Sequence, residues 1–355
     1  MKILMLVNWN VQKVNIEPEN QQPSNYCVKG KKYWFFNHIE EDVQIDVIGV
    51  KNNWISRLEK KILRFYVIQT IKVLLKLRKY DVVISHGAQS GIFLSFIRRF
   101  FKGKYKHILI DVGAFNSASE KNTLKDKIIK FSSKSIDYVI YHESNQKKYY
   151  EKYYPWLIEK SKFISYGADI DFFIKKTENK NFIENKYLLC VGYSKRDWET
   201  LINAYELVKT DYKLILLGKK IKTNDSRIQS IDFVDVNTMI SYIKNSSFCI
   251  LPLKNYNYSF GQMTFLQQCL LEKTVIVSKV NSMIDYGIDN ETCVFYESEN
   301  KKDLADKISD LLINEEKCKK IGKQAKIYVC KNISDRKMAN EIYKTVKEVV
   351  YNEKK

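Results

Sequence analysis

Proline and glycine are scarce in this chain, 4 and 12 of 355 residues, which excludes a collagen-like or low-complexity chain. With 45% hydrophobic and 13% aromatic residues, there is material for two packed domains of ordinary size. The seven cysteines, at positions 27, 190, 249, 269, 293, 318 and 330, show no paired short spacing. That speaks against a disulfide framework or a zinc site, and their apolar neighbourhoods suit a thiol packing as a small hydrophobe in a reduced compartment. No run of 18 uncharged apolar residues exists, and Met1 to Val7 is broken by Asn8-Trp9-Asn10 before it could act as a signal-peptide core. The expectation is a cytoplasmic protein that neither spans a membrane nor is exported by that route. The four histidines, His38, His86, His107 and His142, lack metal-ligand spacing. No Gly-x-Gly-x-x-Gly follows the first strand and no Walker lysine-threonine loop is present, so a dinucleotide oxidoreductase has little support.

Acidic residues are in short supply, and unevenly so. Against 60 Lys and Arg the chain has 41 Asp and Glu, a net charge of +19; residues 1–160 contribute 28 against 15 and residues 161–355 contribute 32 against 26. A basic excess in one half favours a polyanionic partner there. Basic residues interleave with large apolar ones at 60–68, 96–102 and 147–156, the composition of interfacial helices. This leans towards an anionic membrane surface, with peripheral placement on the inner face of the cell membrane, rather than nucleic acid. The alternative is ordinary helices with solvated basic faces.

Short apolar runs alternate with helical stretches. Strands are expected at 2–7, 43–50, 80–85, 107–111, 136–141 and 162–165, then at 187–191, 213–217, 230–234, 248–251, 274–278 and 292–295. Nearly continuous apolar strands are buried on both faces, and alternation with helices indicates parallel sheets. Two such series make two doubly wound α/β domains, with a polar linker at 175–181.

Three features of the second half suit a diphosphate. The segment from Leu188 through Gly192 to Arg196-Asp197-Trp198 is a strand, a glycine turn and a helix start with two adjacent cations, Lys195 and Arg196. Arginine suits bidentate phosphate contact. After the strand at 248–251, Ser259-Phe260-Gly261-Gln262-Met263-Thr264 opens another helix, where free backbone N–H groups and the helix dipole meet an anion and Gly261 permits close approach. Thr264 adds a hydroxyl. Less specifically, Gly218-Lys219-Lys220 follows a strand, and Asn237 makes a good N-cap for 238–244, next to Val234.

These segments resemble the donor-binding signature of glycosyltransferase family 4, the glycosyl transferases group 1, which are retaining enzymes of GT-B fold. Ser165-Tyr166-Gly167-Ala168-Asp169-Ile170-Asp171-Phe172 is similar to the interdomain motif of that family, which gives Asp169 and Asp171 a structural role bracing the linker turn instead of a metal-binding one. The resemblance implies two Rossmann-like domains with an interdomain cleft, an acceptor-binding domain at 1–167, a nucleotide-sugar-binding domain at 168–334, and a C-terminal helix at 335–355 returning to the first. It implies a UDP-sugar or GDP-sugar donor held by Gly192, Lys195, Arg196, Val234, Ser259, Gly261, Gln262, Met263, Thr264 and Gln267, with no metal or cofactor. Most of the family also places two glutamates here with seven residues between them; Ser259 and Gln267 occupy those positions, so both carboxylates are absent and a non-catalytic sugar-nucleotide binder is the alternative.

On the acceptor side, His86 follows a strand, in Ser85-His86-Gly87-Ala88-Gln89, at a favourable position for substrate contact. Asp111 lies at the next strand end, where relatives carry a histidine near the reacting sugar. It is a candidate general base or, equally, a cap for the following turn. The loop at 8–29 lacks the glycine pair often seen in the family. The expected activity is transfer of a hexose to a saccharide or lipid-linked glycan acceptor in surface polysaccharide synthesis.

Overall fold

The computed structural model describes residues 1–15, 27–29, 32–63, 65–113, 115, 123–176, 180–184, 186–192 and 195–351. The chain divides into two compact units: Met1–Ser165 with Asn257–Ser259 and Asp335–Lys355, and Tyr166–Tyr256 with Phe260–Ser334.

In the first unit the chain forms β1 (Lys2–Leu6), β2 (Gln12–Val14), β3 (Cys27–Lys29), β4 (Lys32–Tyr33), β5 (Gln44–Ile48), β6 (Val82–His86), β7 (Lys106–Asp111), β8 (Tyr138–Tyr141) and β9 (Ser161–Phe163). Six of them make an all-parallel sheet in the order β5-β1-β6-β7-β8-β9. The inner strands are buried along their length, Val82–His86 at every position, which is why their sequences are near-continuous apolar runs and not alternations. Helices Val67–Leu74, Ala88–Arg98 and Leu124–Ser133 pack side by side in sequence order.

Strands β2, β3 and β4 form a separate three-stranded sheet inside the stretch read from sequence as a loop; residues 16–26 of that loop lie outside the described residues. Strands of two or three residues carry no burial period by which to recognise them. The C-terminal helix Asp335–Tyr351 belongs to this unit. It buries Met338, Ala339, Ile342, Tyr343 and Val346, and is tied down by His38 Nε2 to Asp335 (2.7 Å), by the Tyr343 hydroxyl donating to Glu41 (2.7 Å) and by Lys162 Nζ donating to Glu341 (2.8 Å).

The second unit contains β10 (Tyr187–Val191), β11 (Lys213–Leu217), β12 (Ile228–Ile231), β13 (Cys249–Leu251), β14 (Val275–Ser278) and β15 (Val294–Tyr296), all parallel in the order β12-β11-β10-β13-β14-β15. Two apolar layers sandwich the sheet, one around Leu189, Leu251 and Phe265, the other around Leu188, Ile250 and Leu304. Every strand expected from sequence is present in both sheets, with ends displaced by up to three residues. Asp169 accepts from the Phe172 amide at the start of the helix Ile170–Lys175; linker residues 177–179 lie outside the described residues.

Cys190, Cys249, Cys269, Cys293 and Cys318 are buried thiols and Cys330 is half-buried; burial pushes Cys190 and Cys249 up to about 12, as expected of inert packing groups. No helix among the described residues is long and apolar enough to cross a membrane.

Candidate functional site

An open parallel sheet binds ligands outside the carboxyl ends of its strands, at the point where strand order reverses. In the second sheet that point lies between β10 and β13. The chain leaves β10 through Gly192 at φ +133°, and Tyr193 and Ser194 lie outside the described residues. Lys195 and Arg196 come next. Asp197 then turns across: its amide donates to the Pro252 carbonyl just beyond β13 (3.0 Å), and its carboxylate caps the helix Trp198–Tyr205 through the Thr200 amide (3.3 Å). The two strand ends are thereby joined beneath the cation.

Arg196 is held in place by its own neighbours. Its Nε donates to the Val191 carbonyl (2.9 Å) and its Nη2 to Thr264 Oγ1 (3.0 Å). The guanidinium lies over Gly192 so closely that a Cβ there would sit 2.5–2.7 Å from three of its atoms, so glycine is required both for the positive φ and for space.

Thr264 stands in the first turn of the helix Gln262–Leu270. Its N-cap, Gly261, adopts a left-handed conformation (φ +87°) and supplies no side-chain cap. The helices Trp198–Tyr205, Val236–Asn245 and Lys301–Ile313 are instead capped by Asp197, Asp235 and Asn300. An uncapped start leaves the amides of Gln262, Met263 and Thr264 without intrahelical acceptors, next to a fixed guanidinium. A cation at a helix N-terminus is disfavoured by the dipole; an anion between the two satisfies both.

The structure therefore brings together Gly192, Arg196, Gly261 and Thr264. Gln262 turns its side chain inward, buried, with Nε2 donating to the Ser282 carbonyl (3.0 Å); only its amide faces the helix start. Met263 is exposed. Lys195 holds a left-handed backbone (φ 56°), with Nζ 5.6 Å from the Phe260 ring centroid and 5.8 Å from that of Tyr256; partial desolvation lowers its pKa. Gln267 is buried in the second turn of the helix, and Ser259 groups with the first unit.

Val234 is half-buried next to an exposed Phe233. The cap there is Asp235, not Asn237: Asp235 Oδ1 accepts from the Asn237 and Thr238 amides and Oδ2 from the Thr238 hydroxyl, bonds that hold its pKa below the usual carboxylate value. The helix starts two residues before the sequence reading placed it, so a carboxylate and not the Asn237 side chain closes its first turn. Lys219 and Lys220 are exposed. No three His, Cys, Asp or Glu side chains converge as metal ligands among the described residues.

In the first sheet the order reverses between β1 and β6. His86 ends β6 and packs edge-on against Trp9 (4.9 Å between centroids) and Trp34 (5.2 Å). Burial, and then repulsion from His142, push its pKa down to about 3, so it is a neutral imidazole; its buried Nδ1 has no hydrogen-bond partner among the described residues. Asn8 donates to Gln89 (2.7 Å) and the Trp9 indole to the Tyr33 hydroxyl (3.1 Å) across the same edge. Sequence reasoning missed Trp9 and Trp34; an indole immediately beyond the first strand was the available signal.

Asp111 behaves differently from the candidate base. It is fully buried, and its carboxylate accepts from the Tyr150 hydroxyl (2.6 Å), Gln146 Nε2 (3.0 Å) and the Gly113 amide (2.9 Å). A carboxylate buried and occupied by three donors lacks access to a substrate proton; the geometry favours the turn-bracing role.

Comparison with known proteins bears on both units. Residues 173–328 match the family "Glycosyl transferases group 1". An uncharacterized glycosyltransferase of Methanocaldococcus jannaschii is 26% identical over 136 residues, covering 36% of this chain and 38% of that protein, so the match spans well under half of that relative's length. Among solved structures, sucrose-phosphate synthase from Thermosynechococcus elongatus superposes with a TM-score of 0.70 at 12% identity, covering 98% of this chain and 99% of the other. Anabaena HepE in complex with UDP gives 0.69 at 12% identity, covering 98% and 100%, and HepE is also known with UDP-glucose. These likenesses show the two-domain α/β fold of GT-B proteins.

Proposed function

Because the second unit belongs to the glycosyl transferases group 1, we propose that the chain moves a sugar from a nucleotide diphosphate-sugar to a saccharide acceptor, with retention, and without a metal or other cofactor. The observation that carries this reading is the guanidinium of Arg196, seated over Gly192 and bonded to Thr264 at the start of an uncapped helix. As the bond between the anomeric carbon and the β-phosphate oxygen breaks, negative charge grows on the leaving diphosphate. Fixed donors aimed at that charge lower the barrier. Arg196 and the amides of Gln262, Met263 and Thr264 fill this role, with Lys195 assisting. The acceptor hydroxyl then attacks from the same face and its proton passes to the departing phosphate oxygen, a front-face substitution. Val234 and Gln267 lie on the nucleoside side. His86, beside Trp9, offers the acceptor a neutral ring nitrogen. A UDP-sugar is the favoured donor, given the UDP and UDP-glucose complexes of HepE, and GDP-sugars are the competing class. The acceptor is a saccharide or lipid-linked glycan of a surface polysaccharide, handled in the cytoplasm at the inner face of the membrane.

A second reading has its own observation. Ser259 and Gln267 stand where most of the family carries glutamates, and neither supplies negative charge to a developing oxocarbenium ion. On that reading the chain binds a sugar nucleotide without turning it over. Calorimetric titration with UDP-, GDP- and ADP-sugars, followed by a hydrolysis assay of each binder, separates the two. Binding with slow sugar release supports transfer. Binding without turnover, even with a lipid-linked glycan supplied, supports the non-catalytic reading, and no binding at all overturns both.

A further inference from the structure

The helix Trp54–Ile62 of the first unit buries none of its side chains. Trp54, Leu58 and Ile62, one turn apart along one stripe, are 73%, 47% and 66% exposed. Arg57 and Lys61 border that stripe, and Lys60 lies on the opposite face. The helix's one acid, Glu59, is turned away to accept the Ile68 amide (2.9 Å) at the start of the next helix. A nine-residue helix is marginal in water, and this one is held by its ends rather than by packing: Asn53 and Ser56 form a reciprocal capping box. Its surroundings are strongly basic, since residues 51–106 contain 14 Lys and Arg against 2 Asp and Glu and so hold nearly all of the first half's excess charge. Both flanks of the excursion are pinned to the ligand edge of the first sheet, the Val50 amide to the Trp9 carbonyl (2.8 Å) and the Tyr66 amide to the Gln89 carbonyl (2.9 Å).

We propose that the helix Trp54–Ile62 is an interfacial anchor that seats its Trp54-Leu58-Ile62 stripe in an anionic lipid bilayer. The argument is charge complementarity joined to an apolar face. A second copy of this chain would bring the same cations against themselves, and nucleic acid would engage the lysines but leave the stripe in water. An anionic bilayer takes both, the indole and aliphatic side chains entering the headgroup boundary while the cations meet lipid phosphates. The anchor's place beside Trp9 and Gln89 puts the acceptor edge against the surface that would present a lipid-linked glycan. That consequence rests on the proposed function; the binding itself does not.

The test is flotation of the full chain with vesicles of phosphatidylcholine alone or mixed with phosphatidylglycerol, at low and high salt. Two variants accompany it, Trp54→Ser/Leu58→Ser/Ile62→Ser and Arg57→Glu/Lys61→Glu. All five side chains are solvent-facing, so melting temperature and UDP titration should match the parent and serve as controls. The expected result is binding only to the anionic vesicles, weakened by salt, and at least ~10-fold weaker in each variant. Equal binding by parent and triple-serine protein would overturn the proposal. So would binding indifferent to phosphatidylglycerol, a dimer in lipid-free solution that disappears in the triple-serine variant, or an electrophoretic shift of nucleic acid that depends on Trp54. Loss of vesicle binding with UDP binding intact sinks only the anchor. Vesicle binding without any nucleotide binding sinks only the proposed function.

Discussion

The two sheets meet their ligand edges with opposite materials. Strand ends in both sheets release into glycines with positive φ, Gly192 and Gly218 in the second and Gly87 and Gly113 in the first, but the second sheet's edge also carries the cation Arg196 and the uncapped helix start at Gly261. In the first, the corresponding edge is lined by Trp9, Trp34 and a neutral His86. Strand order differs too: numbered within each sheet, the second runs 3-2-1-4-5-6 and the first 2-1-3-4-5-6. One layout of buried parallel strands thus supports a charged edge suited to phosphate and an aromatic one suited to a neutral, ring-shaped ligand, because only residues beyond the strand ends decide the chemistry.

The sharpest way to break this contrast is to remove the charge. Arg196→Ala should lower donor turnover by ~10²–10³-fold while leaving the melting temperature of the second unit nearly unchanged; turnover within twofold of the parent would remove Arg196 from the phosphate. Gly192→Ala should cost nearly as much, since its Cβ would collide with the guanidinium 2.5 Å away. In an Arg196→Ala background the same substitution should retain only its backbone penalty of ~1–2 kcal/mol, which a kinetic double-mutant cycle reads directly.

The contrast in histidine is as clear. His38, His86, His107 and His142 all fall in the first unit. Burial holds His86 near 3, His142 near 4 and His107 well below the ordinary value. Above about pH 6.5 these groups are neutral folded or unfolded, and contribute no pH dependence. As pH falls from there towards about 4, the unfolded chain takes up protons that the folded unit refuses. Stability is therefore lost at up to ~1.4 kcal/mol per pH unit per histidine. Calorimetry from about pH 7 down to about 5, above the range in which second-unit carboxylates such as Asp235 take up protons, should show the first unit's melting temperature falling while the second unit's holds. Parallel shifts in both would contradict the assignment. His86→Gln should flatten the slope.

A smaller effect distinguishes the two roles considered for Asp111. Asp111→Asn keeps the shape but weakens the bonds from Tyr150, Gln146 and Gly113, for an expected loss of ~1–3 kcal/mol, read as a lower melting temperature of the first unit with sugar release unchanged. Turnover abolished at constant melting temperature would restore the general base.

The two units also differed in how far they could be read from the chain. Strands such as Leu188 to Val191 announce themselves because burial on both faces demands uninterrupted apolar residues, so both six-stranded sheets, and with them the fold class, were legible. The sheet of Gln12–Val14, Cys27–Lys29 and Lys32–Tyr33 was not, since strands that short impose no pattern on their residues. At the site, Gly192, Arg196, Gly261 and Thr264 could be nominated because glycine turns and helix starts are local features. The contact between Arg196 and Thr264 could not, since its partners are 68 positions apart. For the same reason, Asp111 looked catalytic at a strand end until Tyr150 and Gln146, 39 and 35 positions away, closed around it.

Lys195 is where the smallest effect is expected and where the contrast between the edges blurs, for this cation lies against aromatic rings. Its ammonium is 5.6 Å from the Phe260 centroid and 5.8 Å from that of Tyr256, contacts worth ~0.5–1 kcal/mol at an exposed site. Its left-handed backbone, φ 56°, is costly for a non-glycine residue and common for asparagine. Lys195→Asn should therefore relieve backbone strain while deleting the charge: melting temperature level or slightly higher, donor affinity down by ~2–5-fold, a change of about 0.4–1 kcal/mol. If affinity stays level and stability rises, the strain at Lys195 serves no ligand. If affinity falls while stability holds, the left-handed turn is retained because it aims the ammonium, and the phosphate edge extends one residue beyond Arg196.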